Sequence, residues 1–224
     1  MLDYIIVGQG LAGSLLSFML LKKGKKIAVV DNNFSTSSSM AAAGIINPIT
    51  GRHFVKSWKT DELYPVFTQT YLEISELIQK QIFHPKNVSI LFREVENLNN
   101  WLGRSTDANL DGFHSNNIDQ KKYLETFGKD LIEVVDFNFS GRCDLKSLLL
   151  EWKKYLKNIQ IPYLEEEFDY NSLEFNYYVI IKICESITAV FQIHKKLSFI
   201  LISLRFNFIY LLWILKVLKL HYES

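Results

Sequence analysis

Hydrophobic positions change their spacing several times along the chain, and each change marks an expected element. Asp3 opens a short apolar run, Tyr4-Ile5-Ile6-Val7, that closes on Gly8 and predicts a buried parallel strand. Leu11, Leu15 and Met19, with Ala12, Leu16 and Leu20, then recur at helical spacing. Gly24 stops that helix among Lys22, Lys23, Lys25 and Lys26. Ile27-Ala28-Val29-Val30 is a second buried run, closed by Asp31. Strand, glycine turn, helix and strand make one βαβ unit of about thirty residues, with a right-handed crossover.

Beyond it lies a Ser-rich loop, Ser35 to Ser39, followed by Ala41-Ala42-Ala43-Gly44-Ile45-Ile46-Asn47-Pro48. Leu63, Val66, Phe67, Tyr71, Ile74, Leu77 and Ile78 predict a helix within 61–81. Val88 to Phe92 reads as a strand, Val95 to Leu102 as a short helix, and the polar segment 103–122 as loop. Leu131 to Phe139 is a further strand candidate. Asp144 can cap a helix through Leu145, Leu148, Leu149, Trp152 and Tyr155, and Ile161 to Phe168 would return as a strand to the first sheet.

Composition removes several classes of function. With 25 basic against 24 acidic residues in 224, nothing in the charge favours nucleic acid or an anionic membrane surface. Cys143 and Cys184 stand in no metal-binding or redox spacing, which suggests buried, inert thiols in a reducing compartment; no metal site is expected. The apolar run Leu15 to Leu21 has no basic stretch before it, so no secretory signal is expected and the cytoplasm is the expected location.

One motif carries chemistry. Gly8-Gln9-Gly10-Leu11-Ala12-Gly13 is GxGxxG, a weak pattern alone. Here a buried strand precedes it, a helix opens within it, and an acid closes the next strand. Gly8 would permit the sharp turn, Gly10 would let a pyrophosphate approach the backbone, and Gly13 would let helix and strand pack closely. The helix N-terminus would face the phosphates with unpaired N–H groups and its positive dipole end. Asp31, with Asn32 next to it, would take the adenosine ribose hydroxyls. An acid there disfavours NADP, but the motif leaves NAD and FAD open.

The following segment narrows the choice by resemblance. Asp31, the Ser-rich loop and Ala41-Ala42-Ala43-Gly44-Ile45-Ile46-Asn47-Pro48 together resemble the D-amino-acid oxidase and glycine oxidase family of flavoproteins. Asn47 to Phe54 resembles, more narrowly, bacterial members of that family, and Gly141 to Leu150 resembles the point where members return to the cofactor domain. The likeness covers about residues 3–175. It implies FAD as cofactor, with Ser38 and Ser39 beside the pyrophosphate and ribityl chain, and Ala42, Ala43, Gly44 and Ile45 along the flavin. It also implies a small amine or amino acid as substrate, oxidised at its C–N bond by hydride transfer to flavin. Arg52 is a candidate substrate contact and His53 a lesser one, with a solvated or ion-paired loop position as the alternative for both; no catalytic residue is assigned.

The expected fold is α/β, a Rossmann-like FAD-binding domain with an inserted α+β substrate domain and an incomplete C-terminal part. The expected divisions are a first cofactor segment at 1–57, a partial substrate domain at 58–140, a return at 141–175, and an anomalous apolar tail at 176–224. From Tyr170 to Ser224 there is no Gly, Pro or Asp, where ordinary usage would give roughly four Gly and about three Pro. Ser186 stands where family members would carry glycine, after Ile181-Lys182-Ile183-Cys184-Glu185. Three origins fit this tail: a membrane anchor at 197–215, a buried helix, or a coding frame lost near residue 175. Arg205 and Asn207 in mid-segment weigh against the anchor, and the joint compositional change suits a lost frame. If the chain ends as given, weak FAD retention and no turnover are expected. Two other functions stay open: a non-catalytic dinucleotide-binding protein with a membrane-associating C-terminus, and an FAD-dependent oxidase of tRNA nucleosides.

Overall fold

The structure, a computed structural model, describes residues 2–33, 37–115 and 120–168, together with the backbone of strands at 179–184, 187–191 and 200–204. The chain begins β1 (Tyr4–Val7), α1 (Leu11–Lys22), β2 (Ile27–Val30) and α2 (Ser38–Ala41). Three two-residue strands follow, β3 (Ile45–Ile46), β4 (Ile49–Thr50) and β5 (Val55–Lys56), before α3 (Thr60–Leu77). Next come β6 (Phe83–Pro85), β7 (Val88–Phe92), α4 (Val95–Ser105), a 3₁₀ turn at Ala108–Leu110 and β8 (His114–Ser115). The series continues with α5 (Gln120–Phe127), β9 (Glu133–Phe137), β10 (Gly141–Cys143), α6 (Leu145–Asn158) and β11 (Tyr163–Leu164). It closes on β12 (Val179–Cys184), β13 (Ile187–Phe191) and β14 (Ile200–Leu204).

By contact the chain divides into two compact units, one of residues 1–42, 76–80 and 145–224, the other of residues 43–75 and 81–144. In the first unit β1, β2 and β11 form a parallel sheet with β2 at its centre. Tyr4 to Val7 pair with Ile27 to Val30, and Tyr163 and Leu164 pair with Val29 and Val30. Each β2 residue is buried, as a strand covered on both faces requires. Helices α1 and α6 supply much of the cover. Trp152 of α6 meets Phe18 of α1 edge to face at 5.9 Å, and its indole N–H donates to Ser17 Oγ at 2.7 Å. Ser17 Oγ in turn donates to the Ser14 carbonyl at 2.7 Å, so the polar atoms of this packed face are satisfied in series.

The second unit is α+β. Strands β8, β9 and β7 form one antiparallel sheet with β9 in the middle, and β3, β10 and β6 form another around β10. Its core joins Phe54, Phe92, Trp101 and Phe137, with ring centroids 5.2–6.4 Å apart in the contacting pairs. Gly141 is required in β10, because a Cβ there would lie 2.7 Å from the Phe83 ring and 2.8 Å from the His84 carbonyl oxygen.

Several expectations change in detail. The Ser-rich loop contains the short helix α2, for which Ser37 Oγ accepts the Met40 N–H. The segment expected as loop at 103–122 holds the end of α4, the 3₁₀ turn, β8 and the start of α5. Helix α3 stops at Leu77, and Gln79, two residues on, adopts φ +54°. In the region expected as an apolar tail, β12, β13 and β14 pair as an antiparallel sheet, Val179 opposite Phe191 and Ile187 opposite Leu204. Of the proposed anchor at 197–215 only β14 lies within the described residues. Among those residues no helix is long and apolar enough to cross a membrane.

Candidate functional site

The glycine turn in the first unit is built as its residue types demand. Gly8 leaves β1 at φ +88°, a left-handed conformation open to glycine at little cost, and its N–H donates to the Val30 carbonyl at 2.8 Å. A Cβ on Gly13 would stand 1.9 Å from the Gly8 carbonyl oxygen and 3.3 Å from the Ile6 side chain. Helix α1 therefore lies against β1 at a distance that only glycine allows. Gly10 precedes the helix in extended conformation, and no side chain of its own caps α1. Instead the Leu11 N–H donates to Ser39 Oγ at 3.2 Å, the atom that a Cβ on Gly10 would approach to 3.2 Å. The start of α1, including Ala12 and Gly13, thus presents backbone N–H groups without intrahelical acceptors, with a serine hydroxyl beside them.

Asp31 ends β2 next to this turn. Its Oδ1 accepts the Gln9 N–H at 2.8 Å and its Oδ2 the Asn33 N–H at 3.0 Å. Asn32 is half-buried between them in sequence, and Asn33 takes φ +58°. Gln9 is buried, and its side chain reaches across the unit. Nε2 donates to Ser14 Oγ at 3.2 Å and to the Leu149 carbonyl at 3.1 Å, while Oε1 accepts from the Tyr163 hydroxyl at 2.6 Å. The same hydroxyl lies 3.5 Å from Asp31 Oδ2. Burial raises the Tyr163 phenol well above its usual range, and the charges of Asp31 and Glu165 push the same way.

Lys153 of α6 closes the outer side. Its Nζ donates to Asn33 Oδ1 at 2.9 Å, pairs with Glu165 at 3.1 Å and lies 5.1 Å from the Tyr163 ring centroid. Lys157 also pairs with Glu165, and these two lysines hold that carboxyl below its usual range, Lys157 first.

Gly8, Gln9, Gly10, Leu11, Ala12, Gly13, Asp31, Asn32 and Ser39 thus fall in one region of the first unit. Ser38, also in that unit, is exposed, as is Ala42. Ala43, Gly44 and Ile45 begin the second unit. Ala43 and Ile45 are exposed, Gly44 takes φ +70°, and its carbonyl accepts the Cys143 N–H at 2.8 Å. Arg52, also in the second unit, is exposed and pairs with Glu96 at 3.7 Å; His53 is exposed. Ser35 lies outside the described residues. Cys143 is free and buried, and burial pushes its thiol up to about 12. No group of metal-ligating side chains occurs among the described residues. Sequence reasoning placed Gln9 in the turn but missed its partners. Tyr163, an aromatic with a polar tip on a strand bound for the acid-ended β2, was the available signal.

These residues fit a dinucleotide. The turn is closed to any side chain at Gly13, Gly10 leaves the helix start open, and a carboxylate sits at the end of the neighbouring strand. The family model described as "FAD binding domain" matches residues 3–126. Among solved structures, glycine oxidase from Geobacillus kaustophilus is similar at 18% identity with a TM-score of 0.61, over 84% of this chain and 50% of that one. Glycine oxidase from Bacillus cereus ATCC 14579 matches at 16% identity and TM-score 0.58, over 85% and 53%. L-amino acid deaminase from Proteus vulgaris matches at 14% identity and TM-score 0.56, over 90% and 46%. At such identities the likeness establishes the fold. The chain spans about half the length of these solved structures.

Proposed function

The chain belongs to the family of FAD binding domains, and from that premise we propose that it is an FAD-dependent oxidoreductase acting on the C–N bond of a small amine or amino acid. One observation carries this reading: the Gly8–Gly13 turn opens α1 directly beside the acid that ends β2. Backbone N–H groups at the start of α1 would hold the pyrophosphate, and Asp31, with Asn32 beside it, the adenosine ribose. Ser38 and Ser39 would lie along the pyrophosphate and ribityl chain. By sequence likeness, Ala42, Ala43, Gly44 and Ile45 would line the flavin. Ile45 is 67% exposed, so its side chain is open to such a contact.

Bound FAD would supply the hydride acceptor, and the imine left by oxidation of the amine would hydrolyse to a carbonyl compound and ammonia. The glycine oxidases and the L-amino acid deaminase among the similar folds support an amino-acid substrate class. Arg52, exposed and only loosely paired to Glu96, is the candidate partner for a substrate carboxylate. Two lone cysteines suit a cytoplasmic location.

The test is an absorption spectrum of the purified full chain, before and after titration with FAD, then anaerobic addition of amino acids and amines. Because the glycine turn and Asp31 are formed, uptake of FAD, with bands that bleach with one of these compounds, is expected here in place of the weak retention and absent turnover read from the sequence. A chain that neither retains nor takes up FAD overturns the proposal, and one whose bound flavin no amine reduces overturns its substrate class.

A further inference from the structure

Among the six residues of the glycine turn, Gln9 is bound in an unusual way for a position where the motif allows any residue. It is buried, and its amide is engaged by three separate elements: Ser14 in α1, the Leu149 carbonyl in α6 and Tyr163 in β11. The Leu149 carbonyl can only accept, so the amide nitrogen must face it. That leaves Oε1 toward Tyr163, and the phenol must donate there.

A phenol has one proton. Given to Gln9 at 2.6 Å, it is not available to Asp31 Oδ2 at 3.5 Å. Deprotonation of the phenol is also disfavoured, by burial and by Asp31. Asp31 then holds one backbone donor on each oxygen, Gln9 N–H and Asn33 N–H, and keeps acceptor capacity on both for donors from outside. A vicinal diol presents two hydroxyl donors of that kind.

We infer that Tyr163 is a positioning residue for the ribose end of the cofactor: by fixing Gln9 it holds the turn and Asp31 in the arrangement that reads a ribose diol. The inference rests on the FAD reading above and adds to it a residue 154 positions from the motif. Tyr163→Phe keeps the ring under Lys153 and Lys157, whose ammonium groups lie 5.1 and 5.4 Å from its centroid, and removes only the hydroxyl. Gln9 Oε1 then loses its donor inside the unit, and the turn that presents its N–H to Asp31 loses its anchor on β11.

The experiment displaces FAD from the chain with ADP and with 2′-deoxy-ADP, in the wild type, Tyr163→Phe and Gln9→Leu. The wild type is expected to prefer ADP by about tenfold, the range of a hydrogen bond to a charged group. Both variants should bring that ratio close to one, with the melting temperature of Tyr163→Phe lowered by about 2–10 °C because Gln9 Oε1 loses its donor. A Tyr163→Phe ratio equal to wild type overturns the inference while leaving the FAD reading intact. So does an equal loss of affinity for both nucleotides, which would mark a structural role only. A wild-type chain that binds no FAD overturns the FAD reading itself, and the inference with it.

Discussion

The position that a Cβ would occupy on Gly13 lies 1.9 Å from the carbonyl oxygen of Gly8, far inside any permitted contact. Neither partner can yield easily, since one is backbone at the end of β1 and the other is backbone in the first turn of α1. Gly13→Ala must push the helix away from the strand, and overpacking of that kind costs about 1–3 kcal/mol. The same shift moves the helix start, so FAD binding should fall along with stability. Gly103 in α4 is the contrast, because a Cβ there meets nothing within 4 Å. Gly103→Ala should raise stability by about 0.5–1 kcal/mol and leave FAD binding unchanged. Chemical denaturation and FAD titration of the two variants test both signs.

Asp31 should matter more to the cofactor than to the fold. Asp31→Asn keeps the shape and can still accept the Gln9 N–H through its amide oxygen, but it loses the charge that would attract the ribose hydroxyls. Hydrogen bonds to charged groups are worth about 1.5–3 kcal/mol, which corresponds to roughly ten- to a hundredfold weaker FAD binding. Equilibrium titration measures it. Affinity within twofold of wild type would remove Asp31 from the ribose site.

Those two predictions concern the part of the molecule that was most legible in the sequence. Tyr4–Val7 and Ile27–Val30 could be read because strands buried on both faces appear as unbroken apolar runs, and Gly8 and Asp31 punctuate them. Helix α6 was equally clear from Leu145, Leu148, Leu149 and Trp152 at helical spacing. Strands β3, β4 and β5 were not, because two residues cannot display a period. Helix α2 hid in Ser37-Ser38-Ser39, residue types shared by loops and helix caps. The contact from Tyr163 to Gln9 spans 154 residues, and no local pattern carries information of that kind.

Trp152 ties α6 to α1 through both packing and a hydrogen bond, and the two contributions can be separated. Trp152→Phe retains much of the edge-to-face contact with Phe18 but removes the donor to Ser17 Oγ. A loss of about 1–2 kcal/mol is expected, the range for one buried hydrogen bond plus a small void. Trp152→Ala should cost about 3–5 kcal/mol. Trp152→Phe combined with Ser17→Ala removes both ends of the bond and should be less destabilising than the two single losses added together. Denaturant midpoints of the wild type, Trp152→Phe, Ser17→Ala and the double variant decide it, and strict additivity would mean that the bond contributes nothing.

Cys143 gives the protein a pH dependence whose sign follows from its surroundings. Burial raises its thiol from 9.0 to about 12; a hydrogen bond with Tyr71 opposes the shift and Asp144 adds to it. The folded state therefore holds this proton more tightly than the unfolded chain does. The stabilisation is complete below about pH 9 and drains away as pH rises from there toward about 12. Tyr71, raised by its own burial and by Cys143, works in the same direction. Stability measured between pH 8 and 11 should fall, and Cys143→Ala should fall less steeply, even though it starts lower from the loss of packing. In a Cys184→Ser background the native chain should not react with a thiol reagent at pH 8, whereas the unfolded chain should react once. Rapid labelling of the native chain would mean that Cys143 is reached without unfolding and that burial does not protect it.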